Sequence, residues 1–477
     1  MEMEPKIKPE NPPRKKNEPE GHFSRYAQAL NNTEDIVLNG KVNRVVGLII
    51  ESIGPNVSLG QICRIRSRDG KREDKAEVVG FKENNVLLMP LGPMEGIAPG
   101  CEVIADKSMF TVQAGSGLLG RVLDGLCFPI DGAGPLDLPD TVSAYRQPPS
   151  PMERTRIKEP IPTGIRAIDG LLTCGKGQRV GIFSGSGVGK SVMLGMIARN
   201  TEADVNVIAL IGERGREVRD FIERDLGTEG LKRSVVIAAT SDQPALVRLK
   251  GAFVATAIAE YFRDQGMDVM LLMDSVTRMA MAQREIGLAV GEPPTTKGYT
   301  PSVFAMMPRL MERAGKLEHG SITGLYTVLV DQDDMDEPIA DAMRSILDGH
   351  IVLSRRLASL NHYPAIDVLN SVSRVMIDVV SQEHRKKVQS LLEIMATYRE
   401  SEDLINIGAY QAGSNPAIDK AIRSIDSVTG FLRQDIDEHT SFDKTLEELS
   451  SLYNSIESPG GEAADSRPGA EPQARTA

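Results

Sequence analysis

The residues best suited to chemistry lie between a short apolar run and a helical segment, in RVGIFSGSGVGKSVMLGMIARN. Glycines let the backbone N–H groups of such a loop turn inward around phosphate groups, and the start of a helix favours negative charge. Lys190 would then reach the β- and γ-phosphates, and the hydroxyl of Ser191 would bind Mg²⁺. The spacing predicts a P-loop for a nucleoside triphosphate, formed by Gly185, Ser186, Gly187, Val188, Gly189, Lys190, Ser191 and Val192.

The loop departs from the general pattern GxxxxGK[ST] at one position, because Ser184 stands where the first glycine is expected. We expect Gly185 to make the tight turn instead. A glycine-rich turn without a ligand is the alternative interpretation. It is disfavoured because the strand, the loop, the Lys-Ser pair and the helix occur in the order that a phosphate site requires.

Two acidic residues end apolar runs that indicate buried strands. Asp274 ends VMLLMD, where a Walker B carboxylate would lie beside the P-loop strand and hold Mg²⁺ through its water shell. Glu213 follows VNVIALIG, at the carboxyl end of the next strand along the chain, which is the edge where open α/β sheets bind ligands. We expect Glu213 to act as the base that polarises the attacking water, with Arg214 fixing its orientation. A solvated ion-pair loop is the alternative for GERGRE.

Phosphoryl transfer also needs positive charge beyond the metal and the lysine, which a mobile arginine from a neighbouring subunit often supplies. The candidates are Arg278, Arg355, Arg356 and Arg374, and spacing alone selects none of them.

An acidic stretch, DQDDMDEPIAD (331–341), has some features of a calcium loop. It lacks the glycine that such a loop needs at its sixth position, and it contains a proline. We therefore interpret it as a charged surface loop near the nucleotide edge.

Three kinds of element must position these residues. From about Gly40 to Asp106, short β-rich runs with Gly, Asn and Pro between them predict a small barrel or sandwich. From about Gly175 to Ile366, apolar runs alternate with helical stretches, which predicts a parallel sheet with crossover helices. After about Met376, apolar residues at helical spacing predict a helical C-terminal domain.

The bulk composition excludes several classes of protein. The chain has 477 residues, a net charge of −11 and four scattered cysteines without a CxxC pair, which disfavours a nucleic-acid-binding surface, a zinc site and a disulfide framework. It contains no run of eighteen apolar residues, and its N-terminus lacks the apolar core of a signal peptide. We therefore expect a cytoplasmic protein.

Long stretches of the chain resemble the ATPase of the flagellar type III export apparatus. They include GIFSGSGVGKSVMLGMIARNTEADVNVIALIGERGREVRDFIERDLG, MDSVTRMAMAQREIGLAVGEPPTTKGYTPSVF and NHYPAIDVLNSVSRVM, and the resemblance extends from about Gly40 to Phe431. That family is similar to the α and β subunits of rotary ATP synthases and to the injectisome ATPases.

The resemblance implies an N-terminal β-barrel over 34–106, a RecA-like ATPase domain over 107–375 and a helical domain over 376–457. The proline-rich tail with a possible short helix (1–33) and the tail 458–477 are expected to be disordered. The resemblance also makes Arg374 of SVSR the arginine finger and Tyr363 of HYPAID the aromatic residue that stacks on adenine. The roles of Lys190, Ser191, Glu213 and Asp274 are carried over unchanged.

The function implied is hydrolysis of Mg-ATP by a homohexameric ring at the inner face of the cytoplasmic membrane. The implied partners are regulator and stalk proteins, export substrates with their chaperones, and the membrane export gate, but not nucleic acid. An injectisome ATPase and a catalytic subunit of an ion-coupled rotary ATPase remain alternatives. A chain that carries the P-loop, Glu213 and Arg374 together suits a self-sufficient homohexamer better than a synthase ring with two kinds of subunit.

Overall fold

The computed structural model describes residues 39–330 and 334–457 of the chain. The predicted N-terminal tail with its possible helix (1–33), the predicted C-terminal tail (458–477) and the first three residues of the acidic stretch lie outside the described residues.

The first part of the fold is a closed antiparallel barrel, which confirms the barrel prediction over the sandwich alternative. Its strands follow the order β1-β2-β5-β4-β3-β6, and Gly47, at a φ of 57°, makes the turn between the first two. Apolar side chains such as Ile50, Ile65 and Leu88 fill the interior. The strands are β1 Gly40–Val46, β2 Ile49–Ile53, β3 Gln61–Arg66, β4 Glu73–Lys82, β5 Asn85–Pro90 and β6 Glu102–Met109.

The middle of the chain forms a mainly parallel sheet in the order β17-β16-β10-β15-β13-β11-β12-β8. Only β17 and β14 pair with their neighbours in antiparallel fashion among the strands described for this sheet. Every residue of β11 is buried, because helices cover both faces of a parallel sheet. The strands are β8 Val122–Asp124, β10 Arg179–Ser184, β11 Val205–Ile211, β12 Ser234–Ala239, β13 Asp268–Asp274, β14 Gly315–Lys316, β15 Ser321–Leu329, β16 Gly349–Leu353 and β17 Val372–Ser373.

Two strands that flank β8 in the chain pair with each other as a small antiparallel sheet. Its strands are β7 Thr111–Ala114 and β9 Asp140–Ser143.

Helices cover the two faces of the sheet and continue to the C-terminal end of the described chain. They are α1 Arg166–Leu171, α2 Lys190–Asn200, α3 Gly215–Asp220, α4 Gly227–Lys232, α5 Ala245–Asp264, α6 Val276–Val290, α7 Pro301–Met311, α8 Pro338–Ile346, α9 Arg355–Ser359, α10 Met376–Val379, α11 Gln382–Asn406, α12 Pro416–Leu432 and α13 Phe442–Glu457. Polar N-caps begin the long C-terminal helices: Ser381 accepts a hydrogen bond from the backbone N–H of His384, and Asn415 from that of Ala417.

The C-terminal helices share one core with the P-loop helix. Leu391 of α11, Val428 of α12 and Leu449 of α13 belong to the same buried cluster as Ile197 of α2 and Ile208 of β11. The opposite face of the sheet is covered by α5, α6 and α7. The helical C-terminal domain is therefore packed directly onto the sheet that carries the P-loop.

A buried ion pair joins the barrel to the sheet domain. Lys250 of α5 is fully buried and pairs with Glu77 of β4, and the hydroxyl of Tyr145 donates to Glu77 Oε1 at 3.2 Å. The ammonium of Lys250 also lies 4.1 Å from the ring centre of Tyr145 and 4.9 Å from that of Phe110. Both aromatic residues belong to the segment between barrel and sheet, so one cation holds three parts of the chain together.

Within residues 39–330 and 334–457, no helix is long and apolar enough to cross a membrane.

Candidate nucleotide-binding site

Three of the predicted site residues, Lys190, Glu213 and Asp274, meet at the carboxyl edge of the parallel sheet. The pairing of Leu329 with Ser184, of Tyr326 with Met273 and of Leu210 with Asp274 brings the ends of β10, β15, β13 and β11 to the same level. A cavity of about 540 Å³ opens above this edge. It is lined by Ser184, Gly185, Ser186, Gly187, Gly189, Lys190, Ser191, Val192, Gly212, Glu213, Arg214, Glu217, Ser241, Arg278, Leu329 and Val330.

The loop between β10 and α2 has the backbone geometry that exposes N–H groups. Gly187 and Gly189 adopt φ values of 79° and 86°, which side chains other than glycine rarely tolerate. Gly189 is the N-cap of α2, and no side chain accepts a hydrogen bond at this cap. The first N–H groups of the helix are therefore free to bind an anion.

Lys190 lies between two carboxylates at the floor of this cavity. Its ammonium donates to Asp274 Oδ1 at 2.5 Å and lies 3.8 Å from Glu213 Oε1. The hydroxyl of Thr327, on the intervening strand β15, donates to the same Asp274 oxygen at 2.8 Å. The structure thus brings Lys190, Glu213 and Asp274 together.

The position of the Asp274 strand differs from the prediction. We expected the strand of Asp274 to lie beside the P-loop strand, but β15 is inserted between β13 and β10. A chain in which crossover helices connect the strands does not reveal the order of those strands in the sheet. Asp274 still reaches Lys190 because parallel strands end at a common edge.

The carboxyl of Glu213 has an environment that suits a base. Burial, with a further contribution from the negative charge of Asp274, raises its pKa to about 7, although the charge of Lys190 acts in the opposite direction. A pKa near neutrality is favourable for a group that must take up and release a proton in each turnover.

Arg214 does not orient Glu213 directly. Its side chain is largely exposed and donates to Glu217 Oε1 at 3.2 Å. The structure thus joins Arg214 to Glu217, a neighbour of Glu213, and not to Glu213 itself.

Two residues of the cavity, Glu217 and Ser241, were missed by the sequence analysis. Glu217 lies four residues after Glu213, and α3 begins between them at Gly215, so a helical turn returns Glu217 to the same cavity. This spacing is a signal that could have identified Glu217. Ser241 follows β12, and only the order of strands in the sheet places that strand beside β11.

The four candidate arginines lie at different places. Arg278 lines the cavity that contains Lys190. It packs closely against Gly212, where a Cβ would lie 2.8 Å from the Cβ of Arg278. Arg355 and Arg356 line a neighbouring cavity, where Arg356 pairs with Glu402. Arg374 is exposed at the end of β17, where it donates to the carbonyl of Arg344 at 3.3 Å, and it does not line the cavity that contains Lys190.

The residues expected to hold Mg²⁺ supply oxygen atoms, the ligands that this ion prefers. Ser191 is exposed in the cavity, and Asp274 is buried beneath it, in contact with the cavity residue Lys190. Across the described residues, no group of three or more His, Cys, Asp and Glu side chains is arranged to hold a metal ion. The hydroxyl of Ser191 and the carboxylate of Asp274 are oxygen donors that fit Mg²⁺, which takes one or two protein ligands and completes its octahedron with water and substrate phosphates.

A second cavity continues from the P-loop and has a volume of about 600 Å³. It shares Gly187, Gly189 and Val192 with the cavity that contains Lys190 and is bounded on the far side by Tyr363. The ring of Tyr363 lies against the loop, since a Cβ at Gly189 would be 3.4 Å from its Cε1 atom. A nucleotide whose phosphates follow the loop would extend its base into this second cavity.

In the described part of the acidic stretch, Asp334, Asp336 and Asp341 are exposed, as expected for a surface loop, whereas Glu337, Ile339 and Ala340 are buried. Lys297 is 3.4 Å from Asp334, and Arg344 is 3.2 Å from Asp341. Glu337 has a local role, because its carboxylate accepts hydrogen bonds from the N–H groups of Ile339 and Ala340 at the start of α8.

Three family models match successive parts of the chain. The β-barrel domain of the ATP synthase alpha/beta family matches residues 42–105, and the nucleotide-binding domain of the same family matches residues 164–373. The T3SS EscN ATPase C-terminal domain matches residues 380–451.

Individual relatives match over nearly the whole chain. The flagellum-specific ATP synthase of Bacillus subtilis (strain 168) is 58% identical over 88% of this chain and 96% of its own length. The type 3 secretion system ATPase of Xanthomonas euvesicatoria is 52% identical over 87% of this chain and 93% of its own length. Among solved structures, the assembled ATPase EscN of enteropathogenic E. coli matches with a TM-score of 0.83 and 46% identity, over 87% of this chain and all of EscN.

These matches confirm the expected architecture of barrel, nucleotide-binding domain and helical C-terminal domain. Family models, relatives and fold agree over the same residues, and the chain therefore belongs to the ATP synthase α/β family, in the branch of flagellum-specific and type III secretion ATPases, as a type III export ATPase.

Proposed function

We propose that this chain hydrolyses Mg-ATP in a homohexameric ring and that hydrolysis energises flagellar type III protein export, with release of substrates and chaperones at the membrane export gate. The single observation that carries the chemical part is the convergence of Lys190, Asp274 and Glu213 at the floor of the P-loop cavity. This set contains a cation for the phosphates, a carboxylate for the metal and a carboxylate with a pKa near 7 for the water.

Binding of the triphosphate would rearrange the floor of this cavity. The N–H groups of the loop and of the start of α2 would hold the β- and γ-phosphates, and Lys190 would exchange its bond to Asp274 for phosphate oxygens. Ser191 and Asp274 would then hold Mg²⁺, directly and through water. When bound, Mg²⁺ neutralises part of the negative charge that develops on the β- and γ-phosphates.

Glu213 would perform the proton transfer. It accepts a proton from the attacking water as the oxygen approaches the γ-phosphorus, and the bond to the β–γ bridging oxygen breaks as ADP leaves. The two carboxyls can share a hydrogen bond only when one of them is protonated, so Glu217 would accept a hydrogen bond from Glu213 once Glu213 has taken up the proton. Tyr363 would stack on the adenine in the second cavity.

The location of Arg374 supports a ring. The residue is exposed and lies outside the cavity that holds Lys190 of the same chain, so it would reach a phosphate only in a neighbouring copy. Two structures of one relative support assembly and a stalk partner, since EscN has been solved as an assembled ATPase and together with its central stalk EscO. We extend both features to this chain, and we place it in the cytoplasm at the inner face of the membrane, with regulator and export-gate partners.

The relatives also bear on the choice between the flagellum and the injectisome. The flagellum-specific ATP synthases of Bacillus subtilis and Salmonella typhimurium are 58% and 50% identical to this chain, and the type 3 secretion system ATPase of Xanthomonas euvesicatoria is 52% identical. We favour the flagellar role. Replacing the chromosomal gene by the Glu213→Gln variant should stop export of filament protein in the source organism. Loss of effector secretion with intact filaments would instead assign the chain to an injectisome.

The catalytic proposal is tested with purified protein alone. Specific ATPase activity should rise steeply with protein concentration, because the site is complete only between copies, and Lys190→Ala should abolish turnover. Activity that appears only after a second, different subunit is added would favour the rotary ATPase alternative. Unchanged turnover in Lys190→Ala would refute the P-loop assignment.

A further inference from the structure

The second cavity is closed on one side by a segment of the helical C-terminal domain. This wall segment, residues 433–438, connects α12 to the turn before α13, and all of its residues except Asp437 line the cavity. Ile436, half exposed, presents an apolar side chain to the same cavity as Tyr363. The wall segment therefore contributes one side of the space into which the base of the proposed nucleotide extends.

One buried arginine holds the wall segment against the sheet domain. Arg166, at the start of α1, is only 8% exposed. Its Nε donates to the carbonyl of Phe431 at 2.9 Å, and its two Nη groups donate to the carbonyl of Arg433 and to the carboxylate of Glu438. Its backbone N–H also donates to Gln434 Oε1 at 2.9 Å. A planar guanidinium used in this way fixes the direction of several groups at once.

Gln434 links the wall segment to the residues before α1 and to Tyr363 on the other side of the cavity. Its side-chain amide donates to the carbonyl of Gly164 at 2.8 Å and to that of Glu438 at 3.0 Å. Its backbone N–H donates to the carbonyl of Tyr363 at 2.9 Å. The two sides of the cavity, Tyr363 and the wall segment, are thus tied to each other and to α1.

Arg166 itself lines neither cavity. Replacing the guanidinium would leave the carbonyls of residues 431 and 433 without this donor and would break its pair with Glu438, which would keep only the N–H of Asp435. The wall segment would then have to move to rehydrate these groups. An effect of Arg166 on the nucleotide must therefore pass through the position of the wall segment.

From these contacts, and resting on the proposed nucleotide site, we propose that Arg166 is a positioning residue for nucleotide binding. It holds the wall segment at the base-side cavity, so that affinity for the base depends on how the C-terminal helical domain is docked onto α1. The phosphate end of the site does not depend on it, because the P-loop, Lys190 and Asp274 are held by the sheet.

The test compares a ligand that has a base with one that lacks it. Binding of MgADP and of magnesium pyrophosphate to the full chain is measured by calorimetry for the wild type, Arg166→Lys and Glu438→Gln. Glu438 is the milder site, because about a third of its side chain is exposed (35%). We expect affinity for MgADP to fall about tenfold, the size of one charge-assisted hydrogen bond, and affinity for pyrophosphate to stay unchanged. The KM for ATP should rise by a similar factor with little change in kcat.

Two further variants control the comparison. Ile436→Ala shortens the wall itself and should show the same selective loss of MgADP. Arg313→Gln removes another buried arginine, which pairs with Glu260 on the opposite side of the sheet, and should leave both affinities unchanged even if it lowers the melting temperature.

The outcomes separate this inference from the proposed function. Equal losses of MgADP and pyrophosphate, or no loss of either in variants that fold, would overturn the role of Arg166. A selective loss in Ile436→Ala without one in Glu438→Gln and Arg166→Lys would also overturn it, while leaving the base in the second cavity. Failure of the wild type to hydrolyse ATP would contradict the proposed function but not these binding results.

Discussion

At the scale of single residues, the properties of Glu213 are set by the groups around it. The carboxyl is removed from water beside the charge of Asp274, which disfavours ionisation, and Lys190 at 3.8 Å only partly offsets this. Glu217 accepts from Arg214 and shares a hydrogen bond with Glu213. Three acidic residues and one lysine therefore make a proton acceptor near neutrality, a property that no one of them has alone.

Glu213→Gln should separate binding from chemistry. The amide keeps the size of the side chain but accepts a proton far less readily, so MgATP should still bind while kcat falls by roughly 10²- to 10⁴-fold, the usual contribution of a general base. Single-turnover hydrolysis and nucleotide binding measured on the same sample check this. Normal turnover would place the base elsewhere.

The rate should depend on pH with the sign that a base requires. The pKa of Glu213 is raised to about 7, so the group is protonated and inactive below that pH and ionised above it. We expect kcat/KM, which reports the free enzyme, to increase with pH through about 7 and then level off. In Glu213→Gln the residual rate should lack this step, and a step that persists there would assign the titration to another group.

At the scale of elements, the site and the domain junctions depend on which strands and helices lie side by side. Strand β15 separates the strand of Asp274 from that of the P-loop, and its Thr327 hydroxyl links them through Asp274. At the other end of the molecule, α5 carries Lys250 into the barrel junction, where Glu77 and the ring of Tyr145 enclose it. Neither contact involves residues close in sequence.

The Lys250–Glu77 pair gives a stability prediction. Lys250→Ala should destabilise the protein by roughly 3–5 kcal/mol, because it leaves the buried Glu77 carboxylate without its partner. The double replacement Lys250→Met with Glu77→Leu should recover most of this loss, since well-packed apolar residues can substitute for a buried pair. Midpoints of urea denaturation measure the effect.

A solvent-exposed pair serves as the control for that series. Lys232 and Glu229 lie 2.7 Å apart with side chains that are 70% and 81% exposed, and Lys232→Ala should change the midpoint little. If Lys250→Met with Glu77→Leu were no more stable than Lys250→Ala, the loss would not come from leaving Glu77 buried without its cation.

At the scale of the whole molecule, the chain presents the groups that we propose for catalysis on separate surfaces. The P-loop cavity opens at one edge of the sheet, and Arg374 projects at the end of the antiparallel edge strand β17. Head-to-tail contacts between identical copies generate closed rings and bring unlike surfaces together at every interface. A ring would therefore pair each cavity with the arginine of the next copy.

Mixing two inactive variants should restore activity if this arrangement is right. Glu213→Gln keeps Arg374, and Arg374→Ala keeps Glu213, so a mixed ring contains some interfaces with both groups intact. Random mixing in equal amounts should make about a quarter of the interfaces active. ATPase activity of the mixture, compared with each variant alone, is the measurement. A mixture as inactive as its components, under conditions in which rings form, would contradict a finger acting between subunits.

Much of the fold was predictable because its signals are local. Gly185 to Ser191 between a strand and a helix indicated the P-loop, and the buried run before Glu213 indicated a parallel strand. The β-rich runs from about Gly40 to Asp106, which form β1 to β6, predicted a small β domain, although only pairing across the sequence distinguished a barrel from a sandwich. Local patterns report period and turn chemistry, and these determine the type of element but not its neighbours.

For the candidate site, too, the sequence predicted individual residues but not their neighbours in space. Lys190, Glu213 and Asp274 were identified from the sequence because each ends or begins a recognisable element, and parallel strands share a carboxyl edge. The inserted strand β15 and the cavity residue Ser241 were not, since strand order is decided by the packing of crossover helices.

Local sequence patterns were sufficient to predict the elements of this protein and the residue types at their ends, and the resemblance to relatives predicted the chemistry they serve. Which of those residues meet became visible only in the folded chain. Arg166 contacts residues 431–438, and Lys250 is buried against Glu77, so both contacts join segments that are far apart in the sequence. The position of Arg374 outside the cavity of Lys190 likewise follows from the arrangement of distant segments. The physical reason is that such contacts form only when apolar faces from distant segments are buried together, and no short stretch of sequence carries the free energy of that burial.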